Sequence, residues 1–416
     1  MIEVDFQHWQ YNISEVDLIK NGSPHNKSTA SQALFKALDN EARLIDRVPL
    51  KFTPLQILCG NEAFPESAIA DPLADLEVWN EWKRGIRSFP YSGQFSRLNL
   101  INQESKTSSN ATVGVVGEIM TGLLAQAGIN PWVLARVIRN WPDFIFYCKD
   151  ETYAFVESKA FTNSDGKTSL NDRVPYRLLS ECLVDAVQQI NADPFVVVWG
   201  AFTQIVNVDP MAYKITFLEV IPDKKRRANF PTRAIPEKVI DDISEQCVSI
   251  ALNKVCGDEE ILAGLKISKS TKKNSTRLKA VARLSHIAKE HIESMLNEAG
   301  PKIAISSSRG DIESKIENTI SEIQIGKDGF DFDGKRLQNA LSKSDYDIRR
   351  RSDSQQLYPI RKFGERDIVI RKLSDDERQQ ITNDFKPNWK NACNAYETVD
   401  NTNLYRCGGT LIGIKD

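Results

Sequence analysis

No stretch of this chain runs for about 18 uncharged apolar residues, which argues against a membrane-spanning helix and against a membrane partner. The first residues, MIEVDFQHWQYNISEVDLIK, lack a basic start followed by an apolar run, so they do not read as a secretory signal, and a cytoplasmic location is expected. The seven cysteines (Cys59, Cys148, Cys182, Cys247, Cys256, Cys393 and Cys407) are odd in number, widely spread and never spaced as CxxC. That pattern argues against a disulfide framework and a zinc ribbon, and it leaves buried free thiols as the expectation. Histidine is scarce, with four in 416 residues. His286 and His291 are five apart and do not share a helix face, and His8 and His25 have no acid or cysteine partner in a recognisable frame. There is no GxxxxGK[ST] phosphate loop, no GxSxG elbow and no HExxH helix, so P-loop ATPase, hydrolase-fold esterase and zincin chemistry lose their main support. Net charge is nearly absent as well, with 54 Lys and Arg against 56 Asp and Glu, so a polyanion would have to be met by a local patch.

What is present is the composition of a globular protein, 41% hydrophobic and 26% charged, in a chain long enough for two or three domains. Positive charge is concentrated locally. Between Lys266 and Lys289 there are eight Lys or Arg residues and no Asp or Glu, and shorter runs occur at Lys224-Lys225-Arg226-Arg227 and Arg349-Arg350-Arg351. Within the long run, Lys269, Lys272, Lys273, Arg277, Lys279 and Arg283 are the candidate contacts to nucleic-acid phosphates, the alternative being a solvated surface.

Four regions follow from patterning. Residues 1–108 mix short apolar runs with helical stretches such as SQALFKALDNEARLI and WNEWKRGI; they read as mostly helical, without visible chemistry, and NQESKTSSNAT (Asn102 to Thr112) reads as a linker or loop. Residues 109–222 form an α/β unit. VGVVGEIMTGLLAQAG suits a helix ending near Gly128, PWVLARVIRNW a second helix, and DFIFYCKDETYAFVESKAF two strands joined at Lys149-Asp150-Glu151. YRLLSECLVDAVQQI then repeats Leu179, Leu183, Ala186 and Ile190 at helical spacing, and PFVVVWGAF reads as a strand buried on both faces. This order predicts an α/β fold with a mixed sheet flanked by helices. Residues 223–300 read as a basic helical region, and residues 301–416 as α+β, with helix signals in DIESKIENTISEI and GKRLQNALSK and strand signals in LYPIRKF, RDIVIRKL and TLIGI.

One constellation carries chemistry. Trp141-Pro142-Asp143 opens the first strand of the hairpin, and Glu157-Ser158-Lys159 lies on the second, fourteen residues after Asp143. Side chains alternate along a strand, so Glu157 and Lys159 project from one face and Ser158 from the other. If Asp143 sits at the adjacent strand end, two carboxylates converge, which is repulsive unless a cation lies between them. Oxygen ligands without His or Cys favour Mg²⁺ or Mn²⁺ over zinc. Glu-Ser-Lys also occurs at Glu104 and at Glu313, but only at Glu157 is it set in an apolar strand, YAFVESKAF, where charge is costly unless it is paired or bound. The alternative for Glu157 and Lys159 is a charged stripe on an edge strand.

In Pro142, Asp143, Glu157 and Lys159 the chain resembles the PD-(D/E)XK nuclease superfamily, over roughly Val113 to Val220. The resemblance implies a restriction-endonuclease-like core in which Asp143 and Glu157 bind metal and Lys159 positions or deprotonates the attacking water. It also implies an acid on the helix before the hairpin, a role that Glu118 fits, a backbone carbonyl ligand near Ser158, and an auxiliary Gln188 or Gln189 on the helix after the motif. The expected function is a Mg²⁺-dependent endonuclease acting on DNA, by analogy a restriction or anti-phage defence effector. Cutting both strands of a duplex would favour a homodimer or a partner subunit. Two other readings stand beside it. One is a catalytically silent nuclease-like subunit that grips nucleic acid or protein, and the other a metal-dependent enzyme on small phosphate esters.

Overall fold

The computed structural model describes residues 1–14, 27–65, 96–136, 141–148, 150–162, 168–170, 174–208, 211–228, 235–255, 258–267, 274–298, 305–326, 329–331, 357–363 and 365–415. The first half contains β1 (Ile2–Ile13), α1 (Lys27–Glu41), β2 (Arg43–Phe52), α2 (Pro54–Asn61), α3 (Ser96–Gly128), β3 (Ala135–Arg136), β4 (Phe144–Tyr147) and β5 (Tyr153–Thr162). A short pair, β6 (Thr168–Ser169) and β7 (Val174–Pro175), leads into α4 (Tyr176–Ala192), β8 (Val196–Val208) and β9 (Met211–Pro222). Helices follow: α5 (Lys224–Ala228), α6 (Glu237–Lys254), α7 (Glu259–Leu265), α8 (Asn274–Glu298) and α9 (Ile305–Glu322). The chain continues with β10 (Gln324–Gly326), β11 (Gly329–Asp331), β12 (Tyr358–Phe363), β13 (Arg366–Lys372), α10 (Asp375–Asp384), a 3-10 turn (Trp389–Cys393), β14 (Glu397–Val399), β15 (Thr402–Cys407) and β16 (Thr410–Lys415).

A seven-stranded mixed sheet, ordered β2-β1-β9-β8-β5-β4-β3, organises the molecule. β3, β4 and β5 form an antiparallel meander. β8 is parallel to β5, a pairing that needs a crossover, and α4 supplies it. Beyond β8 the sheet continues with β9 antiparallel, β1 parallel to β9, and β2 antiparallel at the far edge. The α4 crossover buries Leu179, Leu183, Ala186 and Ile190, the stripe that its spacing predicts.

Alternation along the strands divides the core between two faces. Ala154 and Val156 of β5, with Val197 and Trp199 of β8, face Val116, Ile119, Met120 and Leu123 of α3. Tyr153 and Phe155, with Val196 and Val198, face α4 and the helices α6, α8 and α9. A five-stranded antiparallel sheet, β12-β13-β16-β15-β14, closes the α3 side by burying Ile368, Ile370, Tyr405 and Ile412 in the same core. Gly128 is required at this seam, since a Cβ there would lie 2.1 Å from the Trp389 ring.

Several expectations change. Residues 1–108 are helical at Lys27–Glu41, at Pro54–Asn61 and from Ser96 onward among the described residues, but they also hold two strands that the patterning did not single out. They contribute β1 and β2 to the central sheet, because Val4, Phe6, Tyr11 and Ile13 are buried against β9 and its layers. The polar Asn102 to Thr112 stretch is not a linker but part of α3, which crosses the expected 108/109 boundary. Polar residues cost only tenths of a kcal/mol each in a helix, which packing of the apolar half from Val113 onward outweighs. PWVLARVIRNW does not form a helix over its described part. Asn130 accepts the Trp132 amide at 2.8 Å and donates to the Tyr147 carbonyl at 2.8 Å, turning the chain into β3. β4, β5, α4, β8, α6, α8, α9, β12, β13 and β16 lie where the pattern placed them. The segments WNEWKRGI and GKRLQNALSK lie outside the described residues. The six described cysteines are free thiols. No helix among the described residues is long and apolar enough to cross a membrane.

Candidate active site

The β4–β5 hairpin sets the geometry. Phe144 pairs with Val156, and the Asp143 amide donates to the Val156 carbonyl at 3.0 Å, so Asp143 lies across from Glu157 just where β4 begins. By strand alternation Asp143, Glu157 and Lys159 share the face that carries Phe155, while Ser158 and Ala160 project to the other. That other face is occupied by α3: Thr121 Oγ1 donates to Ser158 Oγ at 3.0 Å, and a Cβ on Gly117 would lie 2.6 Å from the Ala160 Cβ. The Ser158 amide in turn donates to Asp143 Oδ2 at 2.6 Å, tying the acid to the strand that carries its partner.

Glu157 is 2% exposed. Its Oε1 accepts from Lys159 Nζ at 2.5 Å, and its Oε2 is buried without a hydrogen-bond partner. Burial, and then the charge of Asp143, push its carboxyl up to about 8, against the opposing pull of Lys159. Burial disfavours the charged form of Lys159, yet Glu157 outweighs this and holds the ammonium above its ordinary range. Below the pair lies α4, where burial and then Glu157 raise the Cys182 thiol far above its usual value. Glu157 is in register with Gly200, at which a Cβ would lie 2.9 Å from the Phe202 ring and 3.6 Å from Cys182 Sγ.

A buried carboxylate with one unsatisfied oxygen beside a second carboxylate is destabilising, and Lys159 offsets only part of the desolvation and repulsion. A hard divalent cation would offset both, and the oxygen donors of Asp143 and Glu157 suit Mg²⁺ or Mn²⁺, ions that keep several water ligands. Among the described residues no group of three or more His, Cys, Asp or Glu side chains is arranged to hold a metal ion. Glu118, half-buried on α3 next to Gly117, therefore does not close a three-acid cluster with Asp143 and Glu157. Gln188 is exposed and Gln189 half-buried on α4.

Sequence reasoning missed Asp185. It lies on α4 one turn beyond Cys182, and its charge acts on both Glu157 and Cys182. The only signal was its place three residues after Cys182, on the flank of the buried stripe. The Glu-Ser-Lys at Glu313 is a helical surface pattern, with Glu313 paired to Arg309 at 2.8 Å and Lys315 to Asp241 at 2.8 Å.

The basic segment is divided by the fold. Lys269, Lys272 and Lys273 lie outside the described residues. Arg277 does not face phosphate: it is buried, and it donates to the carbonyls of Leu265, Ile267, Ser321 and Ile323 at 2.7, 3.0, 3.1 and 2.8 Å. Its planar fork thus joins the C-terminal ends of α7 and α9, where carbonyls are otherwise unpaired. Lys279 and Arg283 are exposed on α8, and Arg283 lies 3.5 Å from Asp258. His8 does have an acid partner, Glu219, at 3.0 Å across the β1–β9 pairing, and it stacks on Trp199.

Comparison with protein-family models, curated proteins and solved structures finds no match for this chain.

Proposed function

We propose that the chain is a metal-dependent nuclease that hydrolyses phosphodiester bonds, with Asp143, Glu157 and Lys159 at its centre and DNA as the expected substrate. The observation that carries this reading is the unpartnered, buried Glu157 oxygen, set beside Asp143 and Lys159 on one face of β5. Support for the restriction-endonuclease-like core comes from the order of elements: α3, the β3–β4–β5 meander, the α4 crossover and β8 parallel to β5.

Asp143 and Glu157 would hold Mg²⁺ or Mn²⁺. When bound, such an ion would supply polarisation of a phosphate oxygen and a more acidic water. Lys159, 30% exposed at its side chain, reaches toward solvent, and as an ammonium it would hold the attacking water and the phosphate by charge. Buried Phe155 and Cys182 keep the Glu157 end dry, which strengthens these interactions. The exposed Lys279 and Arg283 would contact backbone phosphates, with binding that weakens as salt rises.

The test is cleavage of plasmid, linear duplex, single-stranded DNA and RNA with Mg²⁺, Mn²⁺ or EDTA, by wild type, Asp143→Ala and Lys159→Ala. Metal-dependent cutting lost in both variants is expected, by about 10²-fold or more. Binding of nucleic acid with no cutting under any condition would overturn the proposal in favour of a silent binding subunit. Cutting of small phosphate esters alone would point to the third reading.

A further inference from the structure

The resemblance asks for a third acid on the helix before the hairpin, which is Glu118 on α3. The fold argues against that helix. α3 covers the Ser158 and Ala160 face of β5, through the Thr121–Ser158 hydrogen bond and the close approach of Gly117 to Ala160, whereas Glu157 and Lys159 project from the opposite face. That face belongs to α4, whose Leu178, Leu179, Cys182 and Leu183 share a core with Phe155, Phe161, Val198 and Phe202.

We propose that Asp185 of α4, and not Glu118 of α3, is the third acidic group of the site, holding the hydrated side of a divalent cation bound by Asp143 and Glu157. The inference rests on the reading of Asp143 and Glu157 as a cation site. Three observations carry it. Gly200, the register partner of Glu157, approaches Cys182, so this turn of α4 lies directly under the acid. Asp185 follows Cys182 by three residues, one helical turn on the same side, and its charge reaches Glu157 as well as Cys182. The Glu157 Oε2, on a residue 2% exposed, has no protein partner there.

Asp143, Glu157 and Asp185 do not form a closed three-ligand cluster. Asp185 therefore acts through water on the ion, an outer-sphere role suited to a cation that retains much of its hydration. It is a positioning residue: its carboxylate orders ion-bound water and adds negative potential without touching the reacting phosphate.

Mn²⁺ binding to the full chain, measured by titration calorimetry, tests this with wild type, Asp143→Ala, Asp185→Asn, Asp185→Glu and Glu118→Gln. Asp185→Asn is expected to weaken Mn²⁺ about 10- to 100-fold. Glu118→Gln should stay within about 2-fold, and Asp185→Glu should recover part of the loss because it restores the charge. In cleavage assays Asp185→Asn should raise the Mn²⁺ concentration for half-activation by a similar factor, while the rate at saturating Mn²⁺ changes far less. Unchanged binding in Asp185→Asn with weakened binding in Glu118→Gln would overturn the inference but leave the site standing. Wild type that fails to bind Mn²⁺, or binds it as well after Asp143→Ala, would overturn the site reading itself. Asn is nearly isosteric with Asp at this half-buried position, and circular dichroism spectra matching wild type would exclude misfolding as the cause of any loss.

Discussion

The carboxylate of Asp143 accepts the backbone amide of Ser158 at 2.6 Å, so the acid that opens β4 is fastened to the middle of β5 and cannot swing away from Glu157. The bond links folding to the site. In Asp143→Ala the partly buried Ser158 amide loses its acceptor, at a cost of about 1–3 kcal/mol. The same change removes a charge that raises Glu157. A lower denaturation midpoint is expected, together with a Glu157 titration that moves toward its ordinary value when followed by carboxyl-carbon NMR. An unmoved titration would show that burial alone sets it.

Stability should depend on pH through Glu157. Its carboxyl titrates at about 8 in the folded chain against an ordinary 4.5, so the folded state holds the proton more tightly. The associated stabilisation is present below about pH 4.5 and is lost as pH rises through about 8, on the order of a few kcal/mol at most. The neighbouring charges are Asp143 on the hairpin, Lys159 on β5 and Asp185 on α4; the Lys159 contribution is lost only above its ordinary 10.5, outside this window. Thermal melts without divalent ions should therefore show a falling Tm between pH 5 and pH 8.5, and Glu157→Gln should flatten that trend. Added Mg²⁺ should raise Tm more at pH 8 than at pH 5.

Arg277 separates structural from nucleic-acid-binding charge. Arg277→Ala strips donors from four carbonyls at two helix ends, and a loss of about 3–5 kcal/mol is expected by urea denaturation. Lys279→Ala and Arg283→Ala should each change stability by about 0.5 kcal/mol or less, since both are exposed. In DNA-binding titrations across salt, each of these two should lower the slope by roughly 1. A stable Arg277→Ala protein with a reduced salt slope would reverse the assignment.

Gly117 sets how closely α3 rides on the strand of the site. A methyl there would lie 2.6 Å from the Ala160 Cβ, so Gly117→Ala should destabilise by about 1–3 kcal/mol despite the better helix propensity of alanine. Ala160→Gly in the same chain should recover part of the loss in a double-mutant cycle. Additive effects would mean that the helix relaxes elsewhere.

Where periodicity was strong, the sequence was legible. The α4 stripe, the apolar run of β8 and the YAFVESKAF strand each carry their period in the residues themselves, because a buried face demands apolar side chains at fixed intervals. Legibility failed where a long-range contact set the local conformation. β1 reads as a short mixed segment until β9 covers it, and the polar first half of α3 has no apolar period to announce a helix. PWVLARVIRNW has helix formers, but its turn comes from Asn130 bonding to Tyr147 on another strand.

The same division holds at the site. Residue types and spacing alone set out two acids and a lysine in a hairpin, two of them on one face of a strand, since alternation is a local property of extended backbone. Only the tertiary structure decided what lies opposite each face: α3 over Ser158, and α4 under Glu157, with the charge of Asp185 acting on that acid. The sequence marked Arg277 as positive, but whether that charge met solvent or four helix-end carbonyls depended on α7, α8 and α9 packing together, and no window of adjacent residues contains that contact.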